Sequence, residues 1–399
     1  MPQATWRTTG VILVSAAVIL GLSMGLRQTF GLFLAPMTEA LTISRAEFSL
    51  TIAVQNLMWG VVTPFLGALA DRYGTGRFVA LGGVFYTLGL AVMVLGDSLL
   101  WLHLGSGILV GLGISGAGFS LVLAAVARNA PPEKRSLHLG LASAGGSVGQ
   151  FLLLPGSQTL IDATDWQTAL WIMAGLALLI IPFAAALAGK PAIHAGPQQS
   201  LRQALREAGG HRGFQLLNLG FFVCGFHVAF LATHLPGYIV SCNLDPLVGA
   251  TALGIVGFFN IIGGLSAGWL GGRFPKKYLL STIYFSRSVI IVLFLLGPKT
   301  EWSVWLFSAA FGLLWLSTVP LTSGLVAHIF GPRYMATLVA IVMMSHQIGA
   351  FFGAWLGGVN YDYDGSYDLV WYISIGLGVL AGLVHLPIRE QSLRAPAAA

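Results

Sequence analysis

The chain has 399 residues, of which 56% are hydrophobic and only 9% charged, with a mean hydropathy of +0.82. Soluble domains carry about a quarter charged residues, so this composition excludes an ordinary globular enzyme and indicates an integral membrane protein. The net charge of +6 therefore reports on membrane orientation and not on nucleic acid, and Cys224 and Cys242, about 27 Å apart along one helix, are too far apart to bridge.

In chain order the apolar runs predict twelve spans, each near the roughly 20 residues a helix needs to cross a bilayer. Six fall at 10–36, 47–70, 77–96, 100–127, 137–160 and 166–189, and six more at 213–240, 247–271, 277–297, 302–327, 334–358 and 369–388. Arg7 and the run after it have the outline of a signal peptide, but the run is long and lacks a small-residue cleavage site, so it is expected to stay as span 1. Placing both termini in the cytoplasm puts 16 of the 20 basic residues inside, as the positive-inside rule requires. Arg45 and Lys299 fall outside, and Arg27 and Arg287 fall within the membrane.

Arg27 stands in the middle of span 1, where a guanidinium costs a few kcal/mol unless it faces a wet cavity or a partner. A structural acid or snorkelling to the interface would also account for it. No acidic residue occurs inside any apolar run, so the expected counter-ion is an anionic substrate. Arg287, in span 9, is the weaker candidate.

The one long polar interruption, residues 190–212, reads as a cytoplasmic linker between an N-terminal bundle, 1–189, and a C-terminal bundle, 213–399. The halves repeat one another. Gly67-Ala-Leu-Ala-Asp-Arg72-Tyr-Gly-Thr-Gly-Arg77 after span 2 is echoed by Gly268-Trp-Leu-Gly-Gly-Arg273-Phe-Pro-Lys-Lys277 after span 8, and Pro36, Gly149 and Trp171 recur as Pro236, Gly349 and Trp371. Such a repeat is the architecture of a transporter with its site at the midplane between halves. The repeat pairs His227, nine residues before Pro236, with Arg27, nine before Pro36. His227 and His346 are accordingly expected at the cavity, where a histidine can also exchange protons. Gln28, Phe30, Asn56, Phe119, Asn260, Trp315 and Gln347 complete the expected substrate-facing set, with Gln55, Gln150 and Thr318 behind them; packing is the ordinary role of each. Asp362, Asp364 and Asp368 read as a solvated outer cap and not as a calcium loop.

The Gly67–Arg77 stretch resembles the loop between helices 2 and 3 of the major facilitator superfamily, and the repeat and topology extend the resemblance over the whole chain. It implies an all-α membrane fold of twelve helices in two pseudo-symmetric six-helix bundles. It also implies that Gly67, Asp71, Arg72 and Arg77 form a cytoplasmic gate, with Arg128 as the partner of Asp71 and Arg273 in a weaker second copy that has Gly272 where the aspartate would stand.

Arg27-Gln-Thr-Phe-Gly-Leu-Phe-Leu, Gly111-Leu-Gly-Ile-Ser-Gly-Ala-Gly-Phe119 and Gly140-Leu-Ala-Ser-Ala-Gly-Gly-Ser-Val-Gly149 are similar to the monocarboxylate and oxalate/formate porters. That branch carries a substrate-linked lysine about where Arg27 stands. Many of its members carry an acid and an arginine in helix 8, where this chain reads Asn260 and Gly264. The expectation is a secondary transporter of a small organic anion in the bacterial inner membrane, monomeric and free of cofactors. Proton symport, anion exchange and facilitated diffusion stay open, and a multidrug or toxic-compound exporter is the alternative.

Overall fold

A computed structural model describes residues 7–131, 134–189, 201–331 and 335–393; the side chains of Asp71, Arg135, Ser136, Leu201, Ala204, Met335 and Ala336 lie outside that description. Among the described residues, twelve helices are long and apolar enough to span a bilayer. Spans 1 to 6 are Thr9–Leu41, Arg45–Ala70, Thr75–Leu95, Leu99–Asn129, Leu137–Ala163 and Trp166–Leu187; spans 7 to 12 are Arg212–Ser241, Pro246–Gly271, Lys276–Leu296, Glu301–Phe330, Thr337–Asp364 and Asp368–His385. They form two six-helix bundles. A short amphipathic helix, Leu201–Gly210, precedes span 7, while residues 190–200 of the expected linker lie outside the described residues.

The internal repeat is visible in the packing. Gly149 of span 5 lies against the backbone of Gly21 in span 1, and its counterpart Gly349 in span 11 lies against the backbone of Phe222 in span 7. At either place a Cβ would strike the opposing chain, which is why small residues hold these crossings.

Several spans depart from a regular helix, and two of the departures shape the interior. Span 1 tightens into a 3-10 turn at Thr29–Phe33, directly after Arg27 and Gln28. Span 10 is interrupted between Leu314 and Thr318, where Pro320 has no N–H to offer the carbonyl four residues back and crowds it with its ring. Span 4 carries a π-helical stretch at His103–Val110.

The bundles meet through spans 1 and 7, 2 and 11, and 5 and 8, and among the described residues they are zipped from one end. At the end bearing loops 42–44 and 365–367, the Asp362 carboxylate accepts N–H groups from Arg45 (3.1 Å) and Ala46 (2.7 Å) at the start of span 2. Arg45 in turn donates to the Tyr367 hydroxyl at 2.6 Å and stacks 3.6 Å from the Tyr361 ring. Gly31 abuts the carbonyl of Ala232, where a Cβ would collide. Contacts continue to mid-depth through Asn260 Nδ2 to Ser147 Oγ (3.0 Å) and the crossing of Gly60 on Gln347. Beyond that depth, toward the chain termini, Gly67, Gly140, Gly264 and Gly268 face open space. The bundles part there.

One expectation is extended. Asp362 is exposed, as a solvated cap would be, and its charge also ties the two bundles across a helix N-terminus, where unpaired N–H groups and the helix dipole both favour an anion.

Candidate functional site: an arginine at the seam between the bundles

Arg27 is the last residue but one of the α-helical part of span 1, and the 3-10 turn after it directs the following backbone against span 7. Its side chain enters the space where spans 1, 2 and 7 meet, and remains partly exposed. Nη1 donates to Gln28 Oε1 at 3.3 Å and Nη2 donates to Asn56 Oδ1, while the Trp59 ring lies 4.9 Å from the guanidinium carbon. Buried Nε has no partner. A guanidinium offers five N–H donors, so most of its donor capacity is uncommitted, and its side-chain acceptors here are neutral amides.

The amides are themselves held. Asn56 Nδ2 donates to the Ile52 carbonyl at 2.8 Å, which turns its oxygen toward Arg27. Gln28 Nε2 donates to Gln150 Oε1 at 3.4 Å, and Gln150 Nε2 donates to the Leu253 carbonyl of span 8 at 2.9 Å. A polar chain thus runs from Arg27 across the seam to the other bundle. With Phe30, Gln55, Ala229 and Thr233 these groups enclose space for only about one water, so an anion on Arg27 must approach from the open, terminus-bearing side.

The structure brings Arg27, Gln28, Phe30 and Asn56 together, with Gln150 behind them, and places several of the other expected residues elsewhere. His227 is not at the cavity. It is buried in the C-terminal bundle, where Nε2 pairs with the Ser374 carbonyl at 2.8 Å and the ring packs near Phe311. The repeat equates its position with that of Arg27, but span 7 continues as an α-helix through it while span 1 changes pitch, and the side chain faces span 12. Trp315 is likewise a core residue, edge-on to Phe311 at the break in span 10. Phe119 packs beside Gly146 and Met24 within the N-terminal bundle, and Gln55 points to Ser106 of span 4.

Asn260 sits at the seam as a bracket, since its Oδ1 accepts from Leu316 N at 3.0 Å in the interrupted span 10 while its amide reaches Ser147. Gln347 is at the seam against Gly60 with a buried oxygen unpartnered, and His346 packs on Phe221. Arg287 is fully buried away from the seam; one of its nitrogens, Nη2, donates to the Leu314 and Trp315 carbonyls, both at 2.6 Å.

At the open end Arg128 donates to Thr75 Oγ1, beside the turn that Gly74 makes at φ +104°. Arg72 and Arg77 are exposed, and Arg273 lies 3.6 Å from the Trp269 ring. The side chain of Asp71 is outside the described residues.

Sequence reasoning missed the latch at the closed end. Arg45 was available as a signal, being an arginine at the first turn of a span, where a cation opposes the helix dipole and needs a local reason. Burial pushes the Tyr367 hydroxyl up to about 12, so that part of the latch stays neutral at physiological pH.

The family model described as Major Facilitator Superfamily matches residues 13–354. Among curated proteins the chain is 25% identical to an uncharacterized MFS-type transporter, YcxA, of Bacillus subtilis, covering 96% of this chain and 95% of that one. It is 28% identical to monocarboxylate transporter 11 of Mus musculus, covering 90% and 82%. Among solved structures, the nucleoside transporter NupG superposes with a TM-score of 0.78 at 14% identity, covering 94% of this chain and 99% of that one. A bacterial homolog of the human lysosomal transporter Spinster gives 0.77 at 15% identity, covering 99% and 100%. These two likenesses concern the fold.

Proposed function

Because the chain belongs to the major facilitator superfamily and is a membrane transporter, not an enzyme, we propose that it moves a small, monocarboxylate-like organic anion by alternating access, with Arg27 as the anion's anchor. The observation that carries this reading is the guanidinium at the seam whose side-chain acceptors are neutral amides and whose Nε is unpartnered. A carboxylate matches the planar fork of an arginine, and in a low-dielectric cavity that bond is worth more than in water. The monocarboxylate transporters among the relatives support the substrate class. An exporter of cationic compounds would need the opposite charge in this place.

With both termini in the cytoplasm, as the basic residues favour, the open end faces inward and the Asp362 latch closes the outer side. Gly67, Asp71, Arg72, Arg77, Arg128 and Arg273 then belong to the inner gate that forms when the bundles close, and residues 190–212 lie on the cytoplasmic side of a bacterial inner membrane. The transporter works as a monomer driven by solute gradients, without a cofactor.

The test is a proteoliposome uptake screen of monocarboxylates, dicarboxylates and aromatic acids, followed by ligand-induced thermal stabilisation of purified wild type and Arg27→Ala. A monocarboxylate that is taken up by wild type and stabilises it, but not the variant, is the expected result. A well-folded Arg27→Ala protein that still binds that anion normally removes the anchor, and uptake confined to cations removes the substrate class.

A further inference from the structure

Eight asparagine and glutamine side chains are buried among the described residues. Seven of them hydrogen-bond to a carbonyl, a hydroxyl or another side chain, as buried polar groups do. Gln347 on span 11 is the exception. It is only 4% exposed, its Oε1 is enclosed without a partner, and its Nε2 bonds to no described residue. An unpaired buried amide is costly, and nothing in the fold holds this one in a fixed orientation, so it is free to turn toward a partner from outside the chain.

Gln347 stands one helical turn from the Arg27 site. Asn56, which accepts from Arg27, and Gly60 lie one turn apart on the same face of span 2, about 6 Å along its axis. The stem of Gln347 crosses span 2 at Gly60, where a Cβ built on the glycine would stand 2.7 Å from the glutamine Cβ and 2.9 Å from its Cγ. Trp59, beside Gly60, lays its ring 4.9 Å from the Arg27 guanidinium carbon, so the wall between the two polar points is apolar. Span 2 runs from the closed end to the open one. Gln347 is therefore on the side from which an anion reaches Arg27.

No second fixed charge shares this strip. Span 2 has none between Glu47 and Asp71, span 11 has none between Thr337 and Asp362, and the titratable neighbour His346 packs on Phe221. A neutral amide offers one carbonyl oxygen and one NH2 group. A hydroxyl serves either, donating to Oε1 or accepting from Nε2. A second carboxylate would bring a charge that nothing here balances, and would leave Oε1 without a donor.

We propose that Gln347 is the second contact of the transported anion, and that the substrate is a monocarboxylate with a hydroxyl at the far end of a short chain, its carboxylate on Arg27 and its hydroxyl on Gln347. The proposal rests on Arg27 being the anion's anchor. Such a molecule is held by one residue from each bundle, so its binding favours the arrangement in which those residues stand closest. A carboxylate without the hydroxyl reaches Arg27 but leaves Gln347 unpaired, and a hydroxyl on the carbon next to the carboxylate falls short of the turn between them.

Four acids of one chain length separate the two contacts: butyrate, α-hydroxybutyrate, γ-hydroxybutyrate and succinate. Titration calorimetry on the purified protein should find γ-hydroxybutyrate bound about tenfold more tightly than butyrate, the worth of one net hydrogen bond, with α-hydroxybutyrate close to butyrate and succinate no tighter. In Gln347→Leu, which loses the amide and keeps an apolar stem, the ratio of the γ-hydroxybutyrate and butyrate affinities should fall to near one. Gly60→Ala, which pushes the amide aside without removing it, should lower the same ratio and serves if the leucine variant folds poorly. Equal wild-type affinities for butyrate and γ-hydroxybutyrate overturn the subsite and leave Arg27 as the anchor. A preference for γ-hydroxybutyrate that survives in both variants overturns the role of Gln347. If none of the four acids binds wild type, this substrate class is wrong, and the uptake screen decides the anchor on its own.

Discussion

The two arginines at membrane depth are alike in sequence and unlike in structure. Arg27 reaches the seam between the bundles, stays partly exposed, and rests on side-chain amides that other side chains orient. Arg287 points into one bundle and is bonded to main-chain carbonyls released by a broken helix. Both are expensive in an apolar run, so the cost alone does not say which one meets a ligand. What separates them is the kind of acceptor. Carbonyls at a helix break belong to the fold and stay put, whereas amide side chains can hand their donor over to an arriving carboxylate and turn aside.

That distinction is broken most severely through Arg287. Replacing it by methionine leaves the Leu314 and Trp315 carbonyls without their donor. Removing one partner of a buried charged arrangement costs about 3 to 5 kcal/mol, so purified Arg287→Met should show a large drop in melting temperature. If its thermal stability matched wild type, the contrast between a structural and a ligand-facing arginine would have no basis.

Arg27→Ala should do the reverse, leaving the fold in place and removing function. Losing a charge-assisted bond of about 2 to 3 kcal/mol corresponds to roughly 30- to 150-fold weaker anion binding. Arg27→Lys keeps the charge but lacks the fork, so it should retain partial activity. Titration calorimetry with the transported anion, next to a melting curve for each variant, reads both quantities. A variant that loses stability and affinity together would place Arg27 in the same class as Arg287.

Much of this was legible before the structure. Hydropathy and charge partition mark twelve spans, the offset of about 200 residues marks two halves, and Arg27 declares itself because nothing acidic shares its depth. The latch was illegible for the opposite reason. Asp362 and Arg45 lie 317 residues apart in segments where charge is ordinary, so neither stands out until the bundles are folded together. His227 was misplaced because a repeat fixes depth along a helix but not rotation about it, and the pitch change at Thr29–Phe33 occurs in span 1 alone.

The closed end offers a smaller perturbation. Asp362→Asn keeps the shape but gives up the charge that faces the first N–H groups of span 2, worth about 1 to 2 kcal/mol for a capping interaction. The closed-end population should fall by a factor of about 5 to 30. In a protein whose two native cysteines are replaced, Thr233→Cys next to Arg27 should then label faster from the loop side than it does with Asp362 intact. Unchanged labelling would mean that the Gly31 and Ala232 crossing closes this end without the carboxylate.

The mildest effect is expected at His227, and it bears on the comparison most directly because the repeat gives it the same depth as Arg27. Its ring is bonded to the Ser374 carbonyl at 2.8 Å and enclosed by aromatic side chains, so His227→Gln can keep a donor near that carbonyl while giving up ring packing. With that bond kept, the loss is one of ring packing and should show as a modest fall in melting temperature. Anion affinity, and the response of uptake to pH, should both stay at wild-type values, because the residue does not touch the seam. A His227→Gln protein with wild-type melting but a shifted pH profile of uptake would reverse the assignment, returning this position to the cavity that its twin in span 1 occupies.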